Sequence, residues 1–188
     1  MPKYIAILRG INVSGRKKIL MKDLKILFQN LGFQNITTYI QSGNIAFEEL
    51  KNEQQEDICE KIKTAIFEQY NFEVPVLVRK KEELKSLVIK NPFLKVENIN
   101  TKELYVTFLA ELPNTTHFAK LKAIEKQNFL PDDFVIIEKT IYVRAEKYGK
   151  TKLSNNFFER KLKVSATTRN WKTVLRLCEM ATQNEKKI

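Results

Sequence analysis

The sequence predicts an α+β chain built as two ferredoxin-like halves, each of βαββαβ type, with antiparallel sheets and helices packed on one face. Three observations carry that expectation. An apolar strand-like run opens the chain, helical and strand-like periodicities alternate up to residue 90, and the same order restarts after Lys102.

The elements follow in order. Residues 3–8 read as a strand, continuously apolar from Tyr4 onward, as a central strand covered on both faces requires. Leu24, Leu27, Phe28 and Leu31 recur at helical spacing and Gly32 supplies a stop. Residues 36–40 are β-branched or aromatic, and 44–47 follow after Gln41-Ser42-Gly43, which predicts a hairpin. Ile58, Ile62, Ala65, Ile66 and Tyr70 define a second helix. Residues 74–78 form a strand, placed at an edge because Pro75 cannot donate to a ladder. A short helix over 81–90 follows.

Past Asn91-Pro92 and a polar stretch, the order repeats. A strand is expected at 104–109, a helix at 115–127, a hairpin from 134–138 and 141–144, and helices at 155–163 and 171–181. The expected division is residues 1–94 and 95–188, the second half carrying an extra C-terminal helix. The halves share element order rather than evident sequence.

Composition limits the chemistry. The chain has 188 residues, 43% of them hydrophobic, which excludes long disorder. The N-terminal apolar run is too short for a signal-peptide core or a membrane span, so no membrane partner and a cytoplasmic location are expected. Cys59 and Cys178 lack metal-ligand spacing, so no metal is expected and buried thiols are the simpler reading. His117, the single histidine, has no Ser, Cys or carboxylate motif beside it. The acids form no catalytic pair. No catalytic constellation is recognisable, and no cofactor is expected.

Charge is more informative. The net charge is +11, yet residues 144–176 carry +8 and residues 9–25 carry +5, which leaves the remainder at −2. A lysine-rich composition would scatter the excess. Its localisation predicts an anionic or phosphorylated ligand, with nucleic acid among the candidates.

Four polar segments are candidate ligand contacts. In Arg9-Gly10-Ile11-Asn12-Val13-Ser14-Gly15, Arg9, Gly10 and Asn12 leave a central strand through glycines that can expose backbone N–H groups. Ser42 and Asn44 flank Gly43, in a turn that could equally be an ordinary hairpin. Lys152, Ser154 and Asn155 precede a helix, where they could cap it or hold an anion, with Asn156 and Glu159 at capping-box spacing. Thr167, Thr168, Arg169 and Asn170 form the densest polar cluster, and could surround a phosphate or carboxylate. Tyr148-Gly149-Lys150-Thr151 is not a P-loop, because Arg144 stands where its first glycine belongs.

The stretches Ile5-Ala6-Ile7-Leu8-Arg9-Gly10-Ile11-Asn12-Val13, Tyr39-Ile40-Gln41-Ser42-Gly43-Asn44 and Ala166-Thr167-Thr168-Arg169-Asn170-Trp171 resemble a widespread bacterial family, domain-of-unknown-function family 1697. Lys152-Leu153-Ser154-Asn155 also resembles the family's pattern before its penultimate helix. The resemblance implies a cytosolic α+β protein with two similar subdomains, and it adds no activity. The expected function is a non-enzymatic module for a nucleotide or nucleic acid. The alternative is an enzyme acting on a small anionic substrate in a cleft between the halves.

Overall fold

A computed structural model of the chain describes residues 2–51, 53–124 and 126–182. It divides into two compact units, Met1–Ser86 with Arg176–Ile188, and Leu87–Leu175.

The first unit contains β1 (Lys3–Leu8), α1 (Met21–Asn30), β2 (Gln34–Tyr39), β3 (Asn44–Glu48), α2 (Gln55–Tyr70) and β4 (Val76–Lys80). Its sheet has the order β2-β3-β1-β4, antiparallel throughout. Alternation along β1 sends Tyr4, Ala6 and Leu8 into one cluster with Ile45, Phe47, Val76 and Val78. Leu24, Leu27 and Phe28 of α1 and Ile58, Ile62 and Ile66 of α2 close that cluster. Each fully buried isoleucine contributes roughly 2 kcal/mol. Ile5, Ile7 and Leu77 point the other way and are buried too, which is why β1 is apolar at every position from Tyr4 to Leu8.

Helix ends follow local chemistry. Leu31 caps α1 and Gly32 turns the chain at φ +87°. Asn71, left-handed at φ +57°, ends α2 by donating its N–H to the Phe67 carbonyl. Strand β4 is an edge strand, as Pro75 predicted, and it starts just after that proline. Pro75 serves only as an acceptor, taking the Arg9 N–H at 2.9 Å. Helix α3 (Lys81–Ile89) follows β4 without a loop.

The second unit repeats the plan with β5 (Leu104–Leu109), α4 (Thr115–Lys122), β6 (Asp133–Ile137), β7 (Thr140–Arg144), α5 (Asn155–Leu162) and β8 (Ala166–Asn170). The sheet order is β6-β7-β5-β8, again antiparallel. Helix α6 (Trp171–Thr182) leaves β8 as α3 leaves β4. Both halves are thus α+β units of ferredoxin-like type, as the sequence predicted. Helix α4 is shorter than expected, because Ile124 turns back in an i→i+3 bond to Leu121 and packs on the core.

The two sheets agree residue by residue. Leu8 pairs with Val76 and Tyr4 with Lys80, while Leu109 pairs with Ala166 and Tyr105 with Asn170. By this register Tyr4 corresponds to Tyr105, Ala6 to Thr107, Val78 to Thr168, and Arg79 to Arg169. The divergence lies at two of these pairs. Ala6 and Val78 are apolar core in the first unit, whereas the second unit places hydroxyls at both positions.

Candidate anion-binding sites

In the first unit, the loop after β1 is built by two buried isoleucines and one asparagine. Ile11 and Ile19 anchor it in the core. The Asn12 amide donates to the Ile19 carbonyl at 2.8 Å and the Gln41 carbonyl at 2.9 Å, and its oxygen accepts from the Ile19 N–H at 2.9 Å. The 9–19 loop and the 39–44 turn therefore meet at one end of the sheet. Gly43 is packed onto β1: a Cβ there would lie 2.6 Å from Leu8 Cβ and 2.8 Å from Ile11 Cδ1, at a φ of +75°. Its carbonyl accepts the Leu8 N–H at 2.7 Å.

The five expected contacts of this unit are thus brought together, in different roles. Gly10 is exposed at φ +71°, and Arg9 is half-buried beside it. Ser42 is half-buried, and the buried Asn44 amide donates to the Ser42 hydroxyl at 2.9 Å and the Tyr39 carbonyl at 3.1 Å. Asn12 and Asn44 shape the backbone. The surface belongs to cations: Arg16, Lys17, Lys18, Lys22 and Lys25 are all exposed. Lys17 is tethered to the Glu73 carbonyl at 2.6 Å. The others form no ion pair with a described residue.

In the second unit, the polar segment 166–170 is a strand, and this sets what it can do. Alternation points Thr167 and Arg169 to one face of β8 and Thr168 to the other, so the four predicted residues do not converge on one ligand. Arg169 donates to the Thr167 hydroxyl and the Thr168 carbonyl, both at 3.0 Å. Burial lowers its pKa to about 10. Asn170 caps α6 by accepting the Thr173 N–H at 2.8 Å.

Thr168 instead enters a hydroxyl network on the helix side of the sheet. Its Oγ1 lies 2.7 Å from the Thr107 hydroxyl, accepts from the Tyr148 hydroxyl at 2.9 Å and donates to Asn155 Oδ1 at 3.3 Å. The Tyr105 ring lies against that of Tyr148, with centroids 4.6 Å apart. Burial raises the Tyr148 pKa, so the phenol stays a neutral donor. The network ends at the Asn155 amide nitrogen, which is buried and finds no acceptor.

Ser154, beside it, is the N-cap of α5, accepting the Phe157 N–H at 3.3 Å. Glu159 accepts the Ala166 N–H at 2.9 Å, and with Ser154 as the N-cap the expected capping-box start at Asn156 already lies inside the helix. Lys152 is exposed. Sequence reasoning missed Thr107 and Tyr148. The only sign of Tyr148 was its place in a segment resembling a P-loop tail.

Other candidate chemistry is sparse. His117 is half-buried in α4. Both cysteines are unpaired by disulfide, and burial pushes both thiols up. Among the described residues no group of His, Cys, Asp and Glu could hold a metal ion, and no helix is long and apolar enough to cross a membrane.

The chain is similar over 96% of its length to 98% of a solved structure, the conserved bacterial protein SP0830 from Streptococcus pneumoniae, with 22% identity and a TM-score of 0.75. That likeness concerns the fold. No curated protein matches the chain. A family model described as "Protein of unknown function (DUF1697)" matches residues 1–142, which include the first two motif stretches of the sequence analysis. The protein belongs to that family, domain-of-unknown-function family 1697.

Proposed function

We propose that the protein is a non-enzymatic module that binds a phosphorylated or anionic ligand, a nucleotide or a nucleic acid, through a basic surface. One observation carries this reading. Arg16, Lys18, Lys22 and Lys25 stand exposed on one loop and the helix it enters, with no ion-pair partner among the described residues. Exposed charges of one sign, held together without neutralisation, repel one another and favour a polyanion. The second unit supplies a similar set in Lys150, Lys152, Arg160, Lys161 and Lys163, all exposed.

The arrangement favours binding over chemistry. The polar network of the second unit consists of hydroxyls and an amide, groups that donate and accept without changing charge near neutral pH. It holds no general base within hydrogen-bond reach of Thr168. The experiment is a binding titration with labelled RNA, DNA and nucleotides at low salt. Micromolar or tighter affinity for at least one of these phosphate-bearing probes is expected. Failure of every probe to bind at low salt contradicts the reading.

A further inference from the structure

The loop that carries the first basic segment and the 39–44 turn bonded to it together expose three aliphatic side chains, and two of them sit where local chemistry opposes them. Ile40 has φ +49° and is 50% exposed. A β-branched residue is strained in the left-handed region, where glycine or asparagine would be comfortable. Leu20 is the N-cap of α1, is 45% exposed, and makes no side-chain capping bond. Serine, threonine or aspartate would bond the free N–H groups of the first turn. Val13, 58% exposed, opens the tight turn closed by the Arg16 N–H on the Val13 carbonyl.

These residues belong to one place. Asn12 bonds Ile19 and Gln41, so Val13, Leu20 and Ile40 each stand one residue from the junction that its amide makes. Arg16, Lys18 and Lys22 interleave with them in sequence and are exposed. The α1 N-terminus adds its positive pole. Neither burial nor backbone preference accounts for Leu20 and Ile40.

We infer that this tip is a nucleic-acid contact, in which Arg16, Lys18 and Lys22 hold phosphates and Val13, Leu20 and Ile40 take the face of an exposed or wedged-open base. Cations select a polyanion, and aliphatic side chains between them match the apolar wedges used against base steps. The tip is small and fixed, with left-handed backbone at Gly10, Asn12, Ser14, Gly15 and Lys17 and with Asn12 tying it down. A base face suits such a shape better than a fluid bilayer does. The inference rests on the anionic-ligand reading above and narrows it to nucleic acid.

The test compares wild type with Leu20→Ser/Ile40→Gly, which restores an N-cap and relieves the left-handed strain, and with Val13→Ser, which touches neither. Probes are single-stranded RNA, single-stranded DNA and duplex DNA of about 20 nucleotides, and vesicles containing phosphatidylserine. For the double variant the expected results are a Tm raised by about 3 °C and an affinity for the best-bound oligonucleotide reduced about tenfold. The slope of affinity against salt stays unchanged, since no cation is lost. Val13→Ser is expected to weaken binding about threefold without moving Tm.

Preference for single strands identifies an exposed base as the contact, and preference for duplex identifies a wedged step. An unchanged oligonucleotide affinity in both variants overturns the inference while leaving the anionic-ligand reading standing. A lowered Tm in the double variant also overturns it, since the two side chains would then serve the fold. Loss of vesicle binding with oligonucleotide binding intact assigns the tip to a membrane surface instead. If wild type binds nucleotides and no oligonucleotide, the inference falls alone; if it binds no phosphate-bearing probe, both fall.

Discussion

Asn12 shows how a residue expected to meet a ligand can act one step earlier. Its amide uses both donor hydrogens and its oxygen on three backbone groups, joining the loop after β1 to the β2–β3 turn. The type of residue was legible in the sequence, and its partners were not, because they lie seven and 29 residues away. Replacing it by alanine leaves these backbone groups to water and is expected to cost about 2 kcal/mol. A lowered urea midpoint with an unchanged denaturant slope checks this; an unchanged midpoint contradicts the assigned role.

Tyr142 makes a second prediction at this scale. It is buried, donates to the Leu87 carbonyl at 2.8 Å, and burial pushes its pKa up to about 12 from 10. The folded state therefore holds this proton more tightly than the unfolded chain does. Its contribution is complete below pH 10 and is lost as pH rises toward about 12. Alkaline unfolding followed by circular dichroism should soften in Tyr142→Phe over that window, and identical pH profiles would contradict the account.

Among the elements, β8 marks where sequence patterning stopped informing. β1 and β5 announced themselves by apolar runs, and Pro75 placed β4 at an edge. Ala166-Thr167-Thr168-Arg169-Asn170 carries one apolar residue in five, and polar edge strands look like loops. Its pairing with β5 is what splits Thr167 and Arg169 from Thr168, a separation that composition alone does not show. Thr168 bridges Thr107, Tyr148 and Asn155, and Thr168→Val leaves these groups without a shared partner. A loss of about 1–2 kcal/mol is expected. Adding Thr107→Val and Tyr148→Phe should recover most of it, since the first unit carries Ala6 and Val78 at the matching positions. Strictly additive losses in thermal or urea unfolding would argue that the hydroxyls do not act as one network.

For the molecule as a whole, the α+β plan and its repetition were readable because strand and helix periods are local properties of the chain. The location of charge was readable for the same reason. The geometry that gives the charge its meaning was not, because it depends on which side chains remain exposed and without an ion-pair partner among the described residues. Arg16, Lys18, Lys22 and Lys25 meet both conditions. A polyanion bound there must release counterions in proportion to the phosphates contacted. The most direct measurement is the slope of log affinity against log salt for an oligonucleotide, in wild type and in Lys18→Gln/Lys22→Gln/Lys25→Gln. The account predicts a slope shallower by about 2 to 3 in the variant. Equal slopes, or a wild-type affinity that does not change with salt, would contradict it.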